Sequence, residues 1–244
     1  MFSLRCVAKM IRGILLDIEG TTTPIDSVHQ TLFPFAQRRM TEFVEENLLS
    51  LTGENKSLKI EHKEDYAEEF YVKEFDENTP ASIADYLNFL IDEDRKLTAL
   101  KSVQGKIWQA GYESGELKSE VFADVPRAFK RWREQGKAIA IYSSGSVLAQ
   151  KLIFRYSNCG DLTPFIADYF DTNVGGKKEA ASYQKIATAL NFPAAEIKFV
   201  SDVAAELDAA KAAGLKTVLA MREGNASLGG QTEHLTVKSF DEIE

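Results

Sequence analysis

Ile11-Arg-Gly-Ile-Leu-Leu-Asp17-Ile-Glu19-Gly-Thr21 is a short apolar run that ends in an acid, with a second acid one residue further on. An unbroken apolar run of this length is the pattern of a parallel strand buried on both faces, and the acid that closes it then stands at the strand's carboxyl end. Two carboxylates separated by one residue converge on one pocket where such a strand gives way to a loop, which is where open parallel sheets bind ligands. A turn capped by an acid gives the same local string, so the stretch needs company elsewhere in the chain.

Outward from this strand the sequence changes character twice. From about residue 27 to 120 the apolar positions recur at helical spacing: Phe35, Met40, Phe43, Val44 and Leu48, then Tyr86, Leu87, Phe89 and Leu90, then Ile107 and Trp108. The block reads as a helical insertion, and its charge runs as solvated helix faces. From Val121 on, helices alternate with strands. Helices are expected over 124–135, 146–155, 181–190 and 203–213, and strands over 137–142, 197–200 and 217–221. The fold class expected is therefore α/β: a Rossmann-like parallel sheet with helices on both faces and an inserted α-helical cap. Residues 1–26 and 121–244 form the sheet unit in that expectation, and 27–120 form the insertion.

Composition narrows the function classes. With 44% hydrophobic and 10% aromatic residues, the chain of 244 residues has the makings of a packed core. The balance of 29 basic and 37 acidic side chains gives a net charge of -8, which repels nucleic acid and anionic membranes, so neither is an expected partner. Apolar runs are too short to span a bilayer, the N-terminus lacks a signal-peptide core, and a cytoplasmic location is expected. Cys6 and Cys159, far apart and outside any pairing motif, fit reduced thiols. Residues 1–9 read as an extension ahead of Met10. His29, His62 and His234 show no ligand spacing.

Three further stretches stand at strand-to-helix junctions. Ser143-Ser144-Gly145-Ser146 offers hydroxyls and backbone N–H groups to an anion, though serine and glycine serve equally as an ordinary helix cap. Gly175-Gly176-Lys177-Lys178 lets the backbone turn and a lysine reach inward; a nucleotide-type phosphate loop is excluded, because no Ser or Thr follows the lysine. Phe199-Val-Ser-Asp202 places an acid at a helix start, with Glu206 on the first turn, where capping accounts for Asp202 as readily as metal binding.

In this order the four stretches resemble the haloacid dehalogenase superfamily, and Asp17-Ile-Glu-Gly-Thr-Thr-Thr-Pro24 resembles its enolase-phosphatase branch. Most phosphatases of the superfamily carry Asp where this chain has Glu19. The likeness continues through Leu32-Phe-Pro34, Asp94–Lys101, Gly105–Trp108, Phe122–Asp124, Ile141–Ser146 and Phe170–Thr172, and is loose between about residues 51 and 79. The resemblance implies residues 1–26 and 121–244 as catalytic core and 27–120 as cap, Asp17 as nucleophile and metal ligand, and Glu19 as proton-handling residue and metal ligand. It implies Ser143, Ser144 and Lys177 as phosphate-binding groups and Asp202 as a metal acid, with Glu206 behind them. It further implies one Mg2+ per subunit, a phosphorylated diketone as substrate, and a monomer. That substrate, 2,3-diketo-5-methylthiopentyl-1-phosphate, would be enolised and dephosphorylated to acireductone in methionine salvage. The alternatives are a phosphatase for another small phosphate ester, and a silent binding protein on the same fold.

Overall fold

The computed structural model describes residues 10–225 and 232–244, with the backbone alone at His29. The readings of Cys6, of residues 1–9 and of the His29 side chain lie outside what is described. The chain divides into two compact units: one holds the residues up to Ile25 together with Ser119–Glu244, and the other is Asp26–Lys118.

The first unit is built on six strands: β1 (Gly13–Leu16), β2 (Ala138–Tyr142), β3 (Ile166–Phe170), β4 (Ile197–Ser201), β5 (Lys216–Ala220) and β6 (Leu235–Val237). They form one parallel sheet in the order β3-β2-β1-β4-β5-β6. The opening stretch is the central strand, flanked by Ala138–Ile141 on one side and Ile197–Val200 on the other. Ile14, Leu15 and Leu16 are fully buried, which is why the run carries no polar alternation.

Four helices complete the unit: α5 (Val125–Glu134), α6 (Val147–Arg155), α7 (Ala180–Ala189) and α8 (Ala204–Ala212). Leu15, Ala140, Tyr142, Phe199 and Leu219 pack with Tyr183, Ile186, Leu207 and Ala210 of α7 and α8. By the two-residue period of a strand, Ile14, Leu16, Ile139 and Ile141 face the other way. There the aromatic side chains of α5, Phe129 and Trp132, meet Phe154 of α6 and Phe240 of the C-terminal segment.

The expected helices and strands of this unit are present, with ends shifted by a residue or two. Two strands were not expected. β3 is an edge strand whose residues are only partly buried, and β6 has three residues, two of them exposed, so neither carries an apolar run. The third strand nonetheless fixes the site, because the Ser143 amide donates to the Phe170 carbonyl at its end (3.1 Å).

The second unit is helical: α1 (Phe33–Asn47), α2 (Thr52–Ala67), α3 (Pro80–Asp92) and α4 (Thr98–Glu113), preceded by a π-helical turn over Val28–Leu32. Met40, Val44, Leu58, Ile83, Leu87, Leu90 and Val103 are its fully buried centre. Asp65 is buried with its charge answered by Arg95 (2.9 Å) and its other oxygen accepting from the Tyr86 hydroxyl (2.6 Å), around a cluster of Tyr71, Phe75, Phe89 and His62. His62 is structural here, its Nε2 lying 2.8 Å from the Lys73 carbonyl. The indole N–H of Trp108 donates to the Leu32 carbonyl, so this residue too is a core member of its own unit.

Candidate active site

After β1 the chain runs to β2 and β3 on one side, then crosses to β4 and β5 on the other. The carboxyl ends of β2, β1 and β4 thus border the crevice where an open parallel sheet takes its ligand. Asp17, Ser143 and Asp202 stand in the loops leaving those strands.

Asp17 is 4% exposed and tightly held. Its amide donates to the Val200 carbonyl (3.0 Å). One carboxylate oxygen, Oδ1, accepts from the Ile18 amide and from Lys177 Nζ, each at 2.7 Å. The other, Oδ2, accepts from the Ser201 hydroxyl at 3.3 Å. The turn that follows folds on a single acceptor: the Ile18 carbonyl takes the amides of Thr21, Thr22 and Thr23, while the Thr22 and Thr23 hydroxyls also donate to it. The three threonines are therefore scaffold. Glu19 lies partly exposed on this turn, its backbone bridged to that of Thr23. Gly20 has φ +65, and a Cβ there would meet Asp202 Oδ2 at 2.3 Å, so the Asp202 carboxylate is lodged against the turn.

Lys177 reaches this point because the loop carrying it is fixed at successive carbonyls: Gly175 by Tyr142, Gly176 by Ser182 and Lys177 itself by Tyr183. Its Nζ bonds Glu206 as well as Asp17, both at 2.7 Å. Burial works against its charge, but the Asp17 and Glu206 carboxylates outweigh that and hold its ammonium above its ordinary range. The opposite pressure falls on Asp202, which burial, reinforced by the nearby Asp17 charge, pushes up to about 7. Burial and Asp17 also raise Glu206, against the pull of Lys177. One cation thus stands among three carboxylates, and the deficit lies on the Asp202 side. An added divalent cation would relieve it.

Among the described residues no three His, Cys, Asp or Glu side chains gather closely enough to hold a metal by themselves. Two carboxylates, Asp17 and Asp202, beside a turn that is buried except at Glu19 suit a hard ion that completes its shell with carbonyl oxygen and water, and the residues present fit magnesium.

On the β2 side, Ser143 is buried and its Oγ accepts from the Gly145 amide (3.3 Å). Ser144 is partly exposed beside it, and Ser146 caps α6 by accepting from the Ala149 amide. The loop is anchored by Gln150, whose Nε2 donates to both the Gly145 and Phe170 carbonyls at 2.8 Å.

The structure thus brings Asp17, Lys177, Asp202 and Glu206 into one cluster, with Ser143 and Ser144 at the end of the adjoining strand. Reading the sequence missed Ser201, fully buried, whose hydroxyl joins Asp17 to Glu206 (3.0 Å). It missed Gln150, Tyr142 and Tyr183 as the anchors of the two flanking loops. A serine at the end of a buried strand was the available signal for the first; the others became meaningful only once distant segments met.

Fold and site define a hydrolase of the haloacid dehalogenase type, and a family model for haloacid dehalogenase-like hydrolases matches residues 11–214. Enolase-phosphatase E1 of Synechococcus elongatus is 48% identical over 241 residues, covering 96% of this chain and 98% of the relative. Enolase-phosphatase E1 of Leptospira borgpetersenii is 46% identical over 227 residues, 93% of this chain and 96% of the relative. The crystal structure of the UTR4 protein of Saccharomyces cerevisiae superposes with a TM-score of 0.79 at 34% identity, over 96% of this chain and 100% of that one. The chain belongs to the enolase-phosphatase family of the haloacid dehalogenase-like hydrolases.

Proposed function

We propose that the protein enolises 2,3-diketo-5-methylthiopentyl-1-phosphate and hydrolyses its phosphate to give acireductone, the enolase-phosphatase step of methionine salvage. The observation that carries this reading is the Asp17 carboxylate: nearly buried, fixed at both oxygens, and paired with a lysine at the switch point of the sheet.

A carboxylate attacks a phosphate ester only when the charge between them is neutralised and the transferring oxygens are held. Lys177 supplies a fixed positive charge on Asp17 Oδ1, and the Ser143 and Ser144 hydroxyls supply donors for the phosphate. Magnesium, one ion per chain, would be held by the Asp17 and Asp202 carboxylates, with Glu19 contributing backbone oxygen, and would neutralise phosphate and developing enolate charge. Glu19 is the proton-handling group: partly exposed on the turn, with one methylene more than an aspartate, it has the reach to take the proton beside a carbonyl. Asp17 then receives the phosphoryl group as the bond from phosphorus to the C1 oxygen breaks, and that oxygen takes the proton held by Glu19. Water, giving up a proton to Glu19, attacks the aspartyl phosphate to release phosphate and regenerate the Asp17 carboxylate. Glu206 and Ser201 orient Lys177 and Asp17.

The helical unit Asp26–Lys118 is the cap in this reading, excluding water and selecting the organic part of the substrate. A monomeric, cytoplasmic enzyme is part of the same proposal. Cys159 is an exposed free thiol, as a reducing compartment keeps it, and no helix among the described residues is long and apolar enough to cross a membrane.

The test follows the enediol absorbance and free phosphate together, with the diketone phosphate and with generic phosphate esters, with and without magnesium. The expected outcome is magnesium-dependent appearance of both signals, selective for the diketone, with phosphate release lost in Asp17→Asn. Equal turnover of generic esters would instead leave a phosphatase of other substrate.

A further inference from the structure

The turn that carries Glu19 is held from outside by two side chains that the chemistry so far leaves unused. The Ile18 carbonyl takes its three threonine amides and the Thr22 and Thr23 hydroxyls, while the carbonyls of Gly20 and Thr21 take donors from the segment after β5. Arg222 Nε donates to the Thr21 carbonyl at 3.0 Å, and Asn225 Nδ2 donates to the Gly20 carbonyl at 2.8 Å.

Both donors are themselves fixed. Arg222 is buried; its Nη1 bonds Asp124 (2.7 Å) and the Lys238 carbonyl (3.1 Å), and its guanidinium lies over the rings of Phe122 and Phe240, 4.5 and 4.4 Å from their centroids. Asn225 donates as well to the Ala220 carbonyl at the end of β5 (3.3 Å). The place a Gly20 Cβ would occupy is bordered by Asn225 Oδ1, 3.1 Å away, and more closely still by Asp202 Oδ2. Gly20 is thus in contact with Asn225 and the proposed metal acid at once.

We infer that Arg222 and Asn225 are positioning residues for this active site: they clamp the Gly20–Thr21 peptides and thereby set where Glu19 and Asp202 stand for magnesium and for proton transfer. The inference rests on the enolase-phosphatase reading of the site. A turn with Gly20 at φ +65 is free to relax on its own, because glycine has no Cβ to confine it. Hydrogen bonds to the two carbonyls after Glu19 remove that freedom, as outer partners do for the ligands of metal sites.

The clamp is tested in the full-length chain with Asn225→Ala and Arg222→Lys. The first deletes the Gly20 bond, together with the longer one to Ala220, without touching a charge. The second keeps a cation for Asp124 but loses the planar fork and the Thr21 bond. Magnesium is titrated calorimetrically into each protein without substrate, and turnover of the diketone phosphate is measured at saturating magnesium, under conditions where circular dichroism shows each variant folded.

Magnesium affinity is expected to fall about tenfold or more in both variants. With magnesium saturating, kcat falls while KM stays within about twofold. Affinity and kcat both within about twofold of the parent in the two folded variants would overturn the clamp, as would a parent protein that binds no magnesium. If the parent binds magnesium but leaves the diketone phosphate untouched, the function reading fails, and the calorimetric comparison still decides the clamp.

Discussion

At the scale of single residues the site is a problem of charge. Asp17, Glu206 and Asp202 compete for one lysine, and Lys177 answers the first two directly. Lys177→Met should leave Asp17 and Glu206 facing each other unneutralised and remove the cation bonded to Asp17 Oδ1. Phosphate release is expected to fall about 10²–10³-fold, read as kcat in the coupled assay, because one preorganised electrostatic partner is lost. Lys178, the adjacent lysine, should tolerate the same change. Composition and spacing alone do not separate these two lysines; the family resemblance singles out Lys177. What separates them is the set of three carbonyl anchors from Tyr142, Ser182 and Tyr183, which aims one side chain inward and belongs to two other elements.

At the scale of elements, close approach decides the sensitive positions. In the turn after β1, Gly20→Ala would strain a left-handed backbone and drive a Cβ into Asp202 Oδ2. Displacing that carboxylate by about 1 Å is expected to cost on the order of 10²-fold in turnover with little change in fold, checked by kinetics beside circular dichroism. Within the helical unit, α4 meets α1 at Gly111, where a Cβ would stand 2.5 Å from the Phe35 ring and 2.9 Å from Leu117. Overpacking of about 1–3 kcal/mol there outweighs the roughly 1 kcal/mol that alanine gains over glycine in a helix. Gly111→Ala should therefore lower the midpoint of urea unfolding. The helices α5 to α8 were legible because apolar spacing and terminal glycines mark them locally. Strands β3 and β6 were not, since a half-exposed edge needs no apolar run and is defined by the neighbour it pairs with.

At the scale of the catalytic unit, one buried ion pair joins segments from its whole length. Asp124, at the start of α5, accepts from Arg222, from Ser239 Oγ (3.0 Å) and from the Phe240 amide (2.5 Å), while Arg222 reaches Thr21. Burial pushes the Asp124 carboxyl up, but the Arg222 hydrogen bond and charge and the Phe240 amide outweigh it and hold the group below its ordinary value. Its folded pKa is thus depressed, so the stability it contributes is complete above the ordinary value of 3.8 and is lost as the pH falls through the folded one. Acid unfolding followed by circular dichroism should show this loss in the parent chain and not in Asp124→Ala. At neutral pH that variant should lose roughly 3–5 kcal/mol in urea titration, because it leaves Arg222 buried without a counter-charge.

The sequence by itself determined the kind of sheet, the core strand that ends in Asp17 and the helical insertion, since each follows from short-range apolar spacing. Only the tertiary structure decided how Lys177 is aimed at Asp17, that Ser201 links Asp17 to Glu206, that Asp202 rests on Gly20, and that Arg222 and Asn225 close on the same turn. Those contacts join residues up to about two hundred positions apart. They exist because parallel strands drawn from distant parts of the chain end side by side, and no local pattern records which loops will then face one another.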